Sequence, residues 1–381
     1  MKIKSIPEEH YPQYRMNVMF DGYKWDLQAG EQSTISDKVL LFEPNEISSL
    51  IKDAVALYNE TIAMECALQK NPGLVLETGI SQEMTYALCN CKPKAHIRFM
   101  RFDFHPTTDG WRISEVNSDV PAGYPEASIL PELAQVYFPG YGKCGCFGEV
   151  FAKKVSQIFP KSCIIAYLHD THTVEDYQIL HYLGDLLETF GYNSMYASPE
   201  NIKWQNNKAL DIGGIIRYFP VEWMEFTKGV DWLSFVNSET PSCNHPIALL
   251  TQSKRLPLVW DRLGVDVATW KKLLPETKCA STLTDHNGWI LKPAFGRVGE
   301  GINIPGTMSS QEENEIRKAA HENPTQWVAQ KMFESVPLDG LHVNVGMFVT
   351  DGEFSGCYAR VSSSPKIDED ASEIPILVRG A

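Results

Sequence analysis

The chain has 381 residues, 43% hydrophobic and 22% charged, which suits an ordinary globular protein long enough for two or three packed units. Its formal charge of −14 argues against a nucleic-acid partner, since neutralising phosphate backbones needs clustered lysine and arginine. No apolar run approaches the roughly 20 residues of a membrane span. The start, Met-Lys-Ile-Lys-Ser-Ile-Pro, has no apolar stretch of a secretory signal, so a cytoplasmic protein with no membrane partner is expected.

Residues up to about 90 are preparatory: an irregular or hairpin start around Trp25, then a helix over 44–70. Asn45 is its expected N-cap, and Ile47, Leu50, Ile51, Ala54, Val55 and Tyr58 recur at helical spacing. The nine cysteines are an odd, scattered set that reads as reduced thiols. The two Cys-x-Cys pairs, Cys89/Cys91 and Cys144/Cys146, leave a four-thiolate zinc site open, although structural zinc spacings are usually wider.

The stretch 98–126 organises the rest. Residues 98–104 and 111–117 are rich in aromatic and β-branched types around Pro-Thr-Thr-Asp-Gly, which predicts a β-hairpin turning at Gly110. Strand side chains alternate, so Met100, Phe102, Phe104 and Val116 share one face while Arg101, Asp103, Glu115 and Asn117 share the other. Two carboxylates and an amide oxygen are hard donors suited to Mg²⁺; the competing reading is an exposed cross-strand ion pair between Arg101 and Glu115.

A turn-rich segment, 121–131, and a helix near 147–159 follow. An apolar strand at 162–168, an amphipathic helix at 173–190 ended by Gly191, and a second strand at 212–217 imply a parallel, Rossmann-like unit. It lacks Gly-x-Gly-x-x-Gly and is not read as a dinucleotide site. Glu175 and Asp176 open its helix, either for the helix dipole or as ligand groups at the carboxyl end of a parallel sheet.

The last third carries nucleotide chemistry. Lys292 ends an apolar strand before a loop with Gly296, Gly299 and Gly301, whose backbone amides can fold over phosphates. The loop is no P-loop, and alone it would read as a hairpin turn. The strand 327–331, Gln330 included, is suited to present backbone groups to an adenine ring. A second hairpin turns at Asp351-Gly352 and ends with Arg360, ahead of an acidic stretch at 368–370.

Taken together, these residues resemble the ATP-grasp amide ligases of the glutathionylspermidine synthase type, in their synthetase domain. The match rests on Arg101-Phe-Asp103, Glu115-Val-Asn117-Ser-Asp119-Val-Pro121 with Glu126, Tyr218-Phe-Pro-Val-Glu-Trp223, Ser253-Lys254 before Leu258-Val-Trp260, Lys292-Pro-Ala-Phe-Gly-Arg297, and Gly356-Cys-Tyr-Ala-Arg360. They occur in family order over about 10–365. The resemblance implies an α+β, ATP-grasp fold built of antiparallel β units with an inserted Rossmann-like, pre-ATP-grasp unit. Residues 1–160 and 251–381 would form the core and lid, and 161–250 the inserted substrate unit.

The resemblance also implies an activity: ATP phosphorylates a carboxylate, and an amine displaces phosphate to form an amide. Asp103, Glu115 and Asn117 would bind Mg²⁺, Lys254 and Lys292 would hold ATP, the loop of Gly296, Arg297, Gly299 and Gly301 would cover its phosphates, and Arg101 with Arg360 would neutralise the transferring phosphoryl group. The acid would be a glutathione-like peptide and the amine a polyamine, with Glu175 and Asp176 toward the amine.

The chain also departs from the family. Arg297 is followed by Val298 and Gly299 where Arg-Glu-Gly is usual, Ala122 and Gly123 stand where small hydroxyl residues are expected, and the amidase domain of bifunctional members has no counterpart. Two other readings compete: a non-catalytic ATP-binding regulatory or partner-binding protein of the same fold, and a glycosidase using Asp103 and Glu115, which leaves Lys292, the glycine loop and Arg360 without a role.

Overall fold

The computed structural model describes residues 1–25, 28–29, 32–283, 285, 287–297, 301–304 and 307–380. The predicted hairpin forms from Phe99–Thr107 and Gly110–Asn117, with pairing carried out to Thr107 and Gly110. The turn is therefore tighter than its five turn-forming residues imply, and Gly110 takes a φ of +98° there.

This hairpin is one end of a large mixed sheet. Its strands run in the order Lys2–Ser5, Lys38–Phe42, Ser372–Arg379, Glu353–Ser362, His342–Thr350, Phe99–Thr107, Gly110–Asn117, with Tyr141–Lys143 also on Ser372–Arg379. The second expected hairpin, turning at Asp351 and Gly352, thus pairs antiparallel with the first. Met100, Phe102, Phe104 and Val116 share one core with Val343, Val345 and Met347, as alternation predicts.

Against that face lies the helix Pro44–Leu68, burying Ile47, Leu50, Ala54, Leu57, Tyr58, Met64 and Leu68 along one stripe. Its N-cap is Glu43 rather than Asn45. Pro44 can start a helix because its ring presets φ and its missing N–H is one the first turn leaves unpaired anyway, while Glu43 and Glu46 close a reciprocal capping box.

The Rossmann-like unit is a five-stranded parallel sheet ordered Asn193–Ala197, Ile164–Leu168, Gly214–Arg217, Ser242–Cys243, His96–Ile97. The helix Val174–Glu188 makes the crossover, and Gly191 leaves it at a φ of +83°. Three strands were not anticipated, the two-residue Ser242–Cys243 among them. Asn193–Ala197 carries no apolar run, and His96–Ile97 comes from ahead of the central hairpin, so the sheet draws its edge from outside 161–250. A third sheet, ordered Thr277–Cys279, Trp327–Lys331, Trp289–Pro293, is antiparallel and backed by the helix Ser310–Glu322.

Buried ions join these units. Between His96–Ile97 and Phe99–Thr107, Arg98 donates to Glu65 at 3.0 Å and 3.2 Å and to Thr251 at 3.3 Å. Arg217 leaves the parallel sheet and pairs with Asp119 at the exit of the hairpin, with Nη1 to Oδ2 at 3.0 Å, and donates to the carbonyl oxygens of Phe219 and Asn244. The Val221 amide donates to the same carboxylate at 3.1 Å. Removing one member of such a pair strands the other charge without water or partner. Asp119→Ala is therefore expected to destabilise the protein by about 3–5 kcal/mol in urea unfolding, and an unchanged midpoint would contradict this account.

Candidate active site

The polar face of the hairpin opens into a cavity of about 1010 Å³ between the large sheet, the third sheet and the Rossmann-like unit. Cross-strand register sets Arg101 opposite Asn117 and Asp103 opposite Glu115. Just beyond, the register shifts, so that Phe104 faces Ile113 and Ser114 is the extra residue. This bulge keeps Ile113 in the core while Glu115 and Asn117 stay on the cavity side.

The freed Ser114 is used twice. Its hydroxyl meets His105 Nε2 at 3.0 Å, and its carbonyl accepts from Lys292 Nζ at 3.2 Å. His105 continues the 101, 103 alternation and is held by the Asn344 amide at 2.9 Å. Burial, aided by Lys292, pushes it down to about 3, so it stays neutral.

Arg101 grips Asp103 with two hydrogen bonds, Nε to Oδ1 at 2.7 Å and Nη2 to Oδ2 at 2.9 Å. Its remaining contacts go to the Ala122 carbonyl at 2.8 Å and the Tyr358 hydroxyl at 3.0 Å. The Asn117 amide spans both carboxylates, 3.2 Å from Asp103 Oδ2 and 3.5 Å from Glu115 Oε1. Lys254 ion-pairs with Glu115 at 2.9 Å and donates to the Gly296 carbonyl at 2.6 Å, tying the hairpin to the glycine loop. Lys292, 3% exposed, donates to Gln330 Oε1 at 2.7 Å.

Charge balance follows from these contacts. Burial pushes Glu115 up, but Lys254 and Lys292 outweigh it and hold the carboxyl down to about 2. Burial pushes Lys292 down to about 8, against the pull of Glu115. Burial lowers Arg101 as well, yet Asp103 beside it keeps its value above the ordinary one.

Of the expected site residues, Arg101, Asp103, Glu115, Asn117, Glu175, Asp176, Lys292, Arg297 and Arg360 line this cavity. Lys254, Gly296, Gly301 and Gln330 do not line it; Lys254 and Gln330 act through Glu115 and Lys292. Gly299, with Val298 and Glu300, lies outside the described residues. Arg297 pairs with Glu222 at 2.7 Å and sits 5.6 Å from the centre of the Trp223 ring, so it reaches the aromatic exit of the Rossmann-like unit. Asp176 is pushed up to about 7 by burial and by Glu175.

Of a second charged group, sequence reasoning marked only Glu126 and missed Lys24 and Glu373. Lys24 lies 2.7 Å from Glu373 and 3.3 Å from Glu126, three residues with no local pattern linking them. Burial and Glu373 push Glu126 up to about 8, while Lys24 holds Glu373 low against burial. Tyr358 and His105 did carry a signal, because each continues the alternation of a strand that bears Arg360 or Asp103.

The donor set fits Mg²⁺. Among the described residues no group of three or more histidine, cysteine or acidic side chains is placed to hold a metal ion, the two Cys-x-Cys pairs included. Asp103 and Glu115 would supply part of a hard oxygen set, joined by the Asn117 oxygen once its amide turns from its present Nδ2 contacts, with positions left for water and phosphate as Mg²⁺ prefers. Asp103 Oδ1 and both Glu115 oxygens each keep a second lone pair beside one present contact, whereas Asp103 Oδ2 already accepts from Arg101 and Asn117.

The family model described as glutathionylspermidine synthase preATP-grasp matches residues 5–379. The chain belongs to that family. It is thus a relative of ligase-type synthetases, and the ATP-grasp resemblance of its motifs extends to nearly the whole chain. A glutathione synthetase-like effector from Globodera pallida, in its apo form, shares the fold with a TM-score of 0.58 at 14% identity, over 96% of this chain and 97% of that one. A protein from Methylobacillus flagellatus KT described as a gamma-glutamylcysteine synthetase aligns over 81% of this chain and 88% of its own, with a TM-score of 0.49 at 12% identity. No curated protein matches the chain.

The Lys254–Glu115 pair has a consequence for acid stability. A carboxylate whose folded value is depressed contributes stability above its unfolded value, and that contribution is lost as pH falls from about 4 toward the folded value. Glu115 is held down to about 2, so its contribution fades over that window. Lys254→Met removes the leading favourable partner and is expected to shift acid unfolding to higher pH, followed by tryptophan fluorescence. Coincident acid transitions would contradict the assignment.

Proposed function

We propose that this member of the glutathionylspermidine synthase family is an ATP-dependent carboxylate–amine ligase that forms an amide through an acyl phosphate. The observation that carries the proposal is the single polar face of Arg101, Asp103, Glu115 and Asn117 opposing Lys292 across one cavity. Phosphoryl transfer asks a protein mainly for positioning and charge neutralisation, and this arrangement is built for both.

Lys292, steered by Gln330 and the Ser114 carbonyl, would hold the ATP phosphates, with the Gly296–Arg297 loop above them. Asp103, Glu115 and Asn117 would hold Mg²⁺, whose chemistry when bound is neutralising charge on phosphate oxygens. Arg101 and Arg360 project into the same cavity from strands separated only by His342–Thr350. There they would stabilise the phosphoryl group as a substrate carboxylate oxygen bonds to phosphorus and the bond to ADP breaks. An amine nitrogen then attacks the acyl carbon and phosphate leaves.

The amine must arrive or become neutral near Glu175 and Asp176. Asp176, near neutrality in its protonation, is suited to take the ammonium proton. The chemistry of this corner fits a cationic, polyamine-like substrate, with a glutathione-like peptide as the acid. Residues 1–160, 161–250 and 251–381 remain our division into core, substrate unit and lid, with the edge strand His96–Ile97 added to the second.

Glu115→Gln and Asp103→Asn are expected to cut ADP release at least ~10²-fold, the scale of losing one strong electrostatic stabiliser, with metal-free nucleotide binding little changed. Thermal unfolding verifies that both variants are folded, and full turnover in either would refute the metal assignment.

Lys292 gives a pH signature. It is charged below its folded value of about 8 and neutral above it, and phosphate prefers the charged form. ATP affinity should therefore be full below that pH and fall as pH rises through it. Lys292→Arg should flatten the profile, and an equally steep decline in that variant would assign the effect elsewhere.

Asp176→Asn should narrow the preference for cationic over neutral amines in an ADP-release screen pairing short peptides with amines. Equal rates for both amine classes in the unaltered protein would sink the polyamine reading.

A further inference from the structure

Away from the cavity, the segment after Tyr141–Lys143 runs antiparallel to the strand Glu353–Ser362 and meets it at the bridge between Gly145 and Gly356. One step along that register, Cys144 stands opposite Cys357. Residues directly opposite in antiparallel backbones have Cα atoms about 4.5–5.5 Å apart, inside the roughly 4.4–6.8 Å that a disulfide spans.

The glycines make the approach close. A Cβ on Gly356 would lie 2.7 Å from the Ala127 carbonyl oxygen and 2.9 Å from the Phe147 nitrogen, and one on Gly145 would lie 3.1 Å from the Ser355 carbonyl oxygen. Both cysteines pack into the same hydrophobic cluster, so their side chains leave the backbone on one side. The Cys357 thiol donates to the Cys144 carbonyl oxygen at 3.9 Å. Cys357 is 1% exposed, while Cys144 is only partly buried.

We propose that Cys144 and Cys357 are a redox modification site that closes to a reversible disulfide, with a hydroperoxide as the oxidant. Cys144 is the attacking sulfur, because it is the less buried of the two and because the neighbouring Cys357 thiol holds its own below the ordinary range despite burial. Its thiolate attacks one peroxide oxygen, the O–O bond breaks, and the departing hydroxide takes a proton to leave as water. The resulting sulfenic acid is attacked by the Cys357 sulfur; the S–S bond forms, the S–O bond breaks, and a second water carries off the Cys357 proton. Two thiols have supplied the two electrons that reduce the peroxide. The bond would pin the segment 141–147 one residue from Tyr358, the hydroxyl partner of Arg101.

The test treats the full chain under native conditions with hydrogen peroxide, then alkylates free thiols and maps peptides. The expected result is one bridge joining Cys144 to Cys357, opened by dithiothreitol, with the other cysteines alkylated. Cys144→Ser should abolish the bridge while leaving ADP release under reducing conditions unchanged. Cys357→Ala should abolish it too, without placing a hydroxyl in the core. Full alkylation of Cys357 after peroxide, a bridge to Cys146 instead, or oxidation of Cys144 that stops at the sulfinic acid would overturn the proposal.

Discussion

An arginine buried one strand in from the edge of a sheet sets the terms for this fold. Its guanidinium cannot be neutralised and presents five N–H donors with no acceptor, so leaving it short of partners is costly. Arg101 is 7% exposed and meets the demand with both oxygens of Asp103, the carbonyl of Ala122 and the hydroxyl of Tyr358. Those partners come from its own strand, from the exit of the hairpin and from a strand more than 250 positions away in sequence. Glycine makes the meeting possible: a Cβ on Gly346 would lie 3.0 Å from both the Arg101 side chain and the Tyr358 ring. One on Gly123, at a φ of +102°, would lie 2.4 Å from that ring.

From this anchor the charges of the cavity alternate in sign. Asp103 is shared between Arg101 and Asn117, and Glu115 between Lys254 and Asn117, with Lys292 close enough to depress it further. Each buried charge is compensated by a neighbour, which is what allows so many of them in one wall. The same arrangement is exchangeable. In the proposed reading, phosphate oxygens would take over the cations that the carboxylates now hold and a divalent ion would take over the carboxylates, so binding both together would leave every group paired.

The Rossmann-like unit contributes through geometry as much as through residues. Tyr218, Glu175 and Asp176 reach the cavity because they follow the carboxyl ends of neighbouring parallel strands, where such sheets bind ligands. Arg98 and the Asp119–Arg217 pair join that sheet to the large one, so Glu175 and Asp176 are set in the same cavity as Arg101 and Lys292. Arg297, bound to Glu222 and lying over Trp223, adds a contact from the segment after Lys292 to the same junction.

Much of this was legible in the chain itself wherever a physical rule acts over a few residues. Alternation along two short strands separates Arg101, Asp103, Glu115 and Asn117 from Met100, Phe102 and Phe104, and helical spacing marks the stripe of Pro44–Leu68. Proline geometry moved that helix's cap from Asn45 to Glu43, a local rule that simply outranked another. The bulge that frees Ser114 is a matter of fitting Ile113 into a core built by other strands, and no short pattern encodes it. Nor does any pattern bring Lys24 to Glu126 and Glu373, set Cys144 opposite Cys357, or make the half-polar Asn193–Ala197 a strand. Side-chain period depends on the backbone within a turn or a pleat, so the sequence determined which faces are apolar and which carry chemistry. Which distant faces meet depends on how the whole chain buries its apolar surface and pairs its charges at once, and only the tertiary structure decided that.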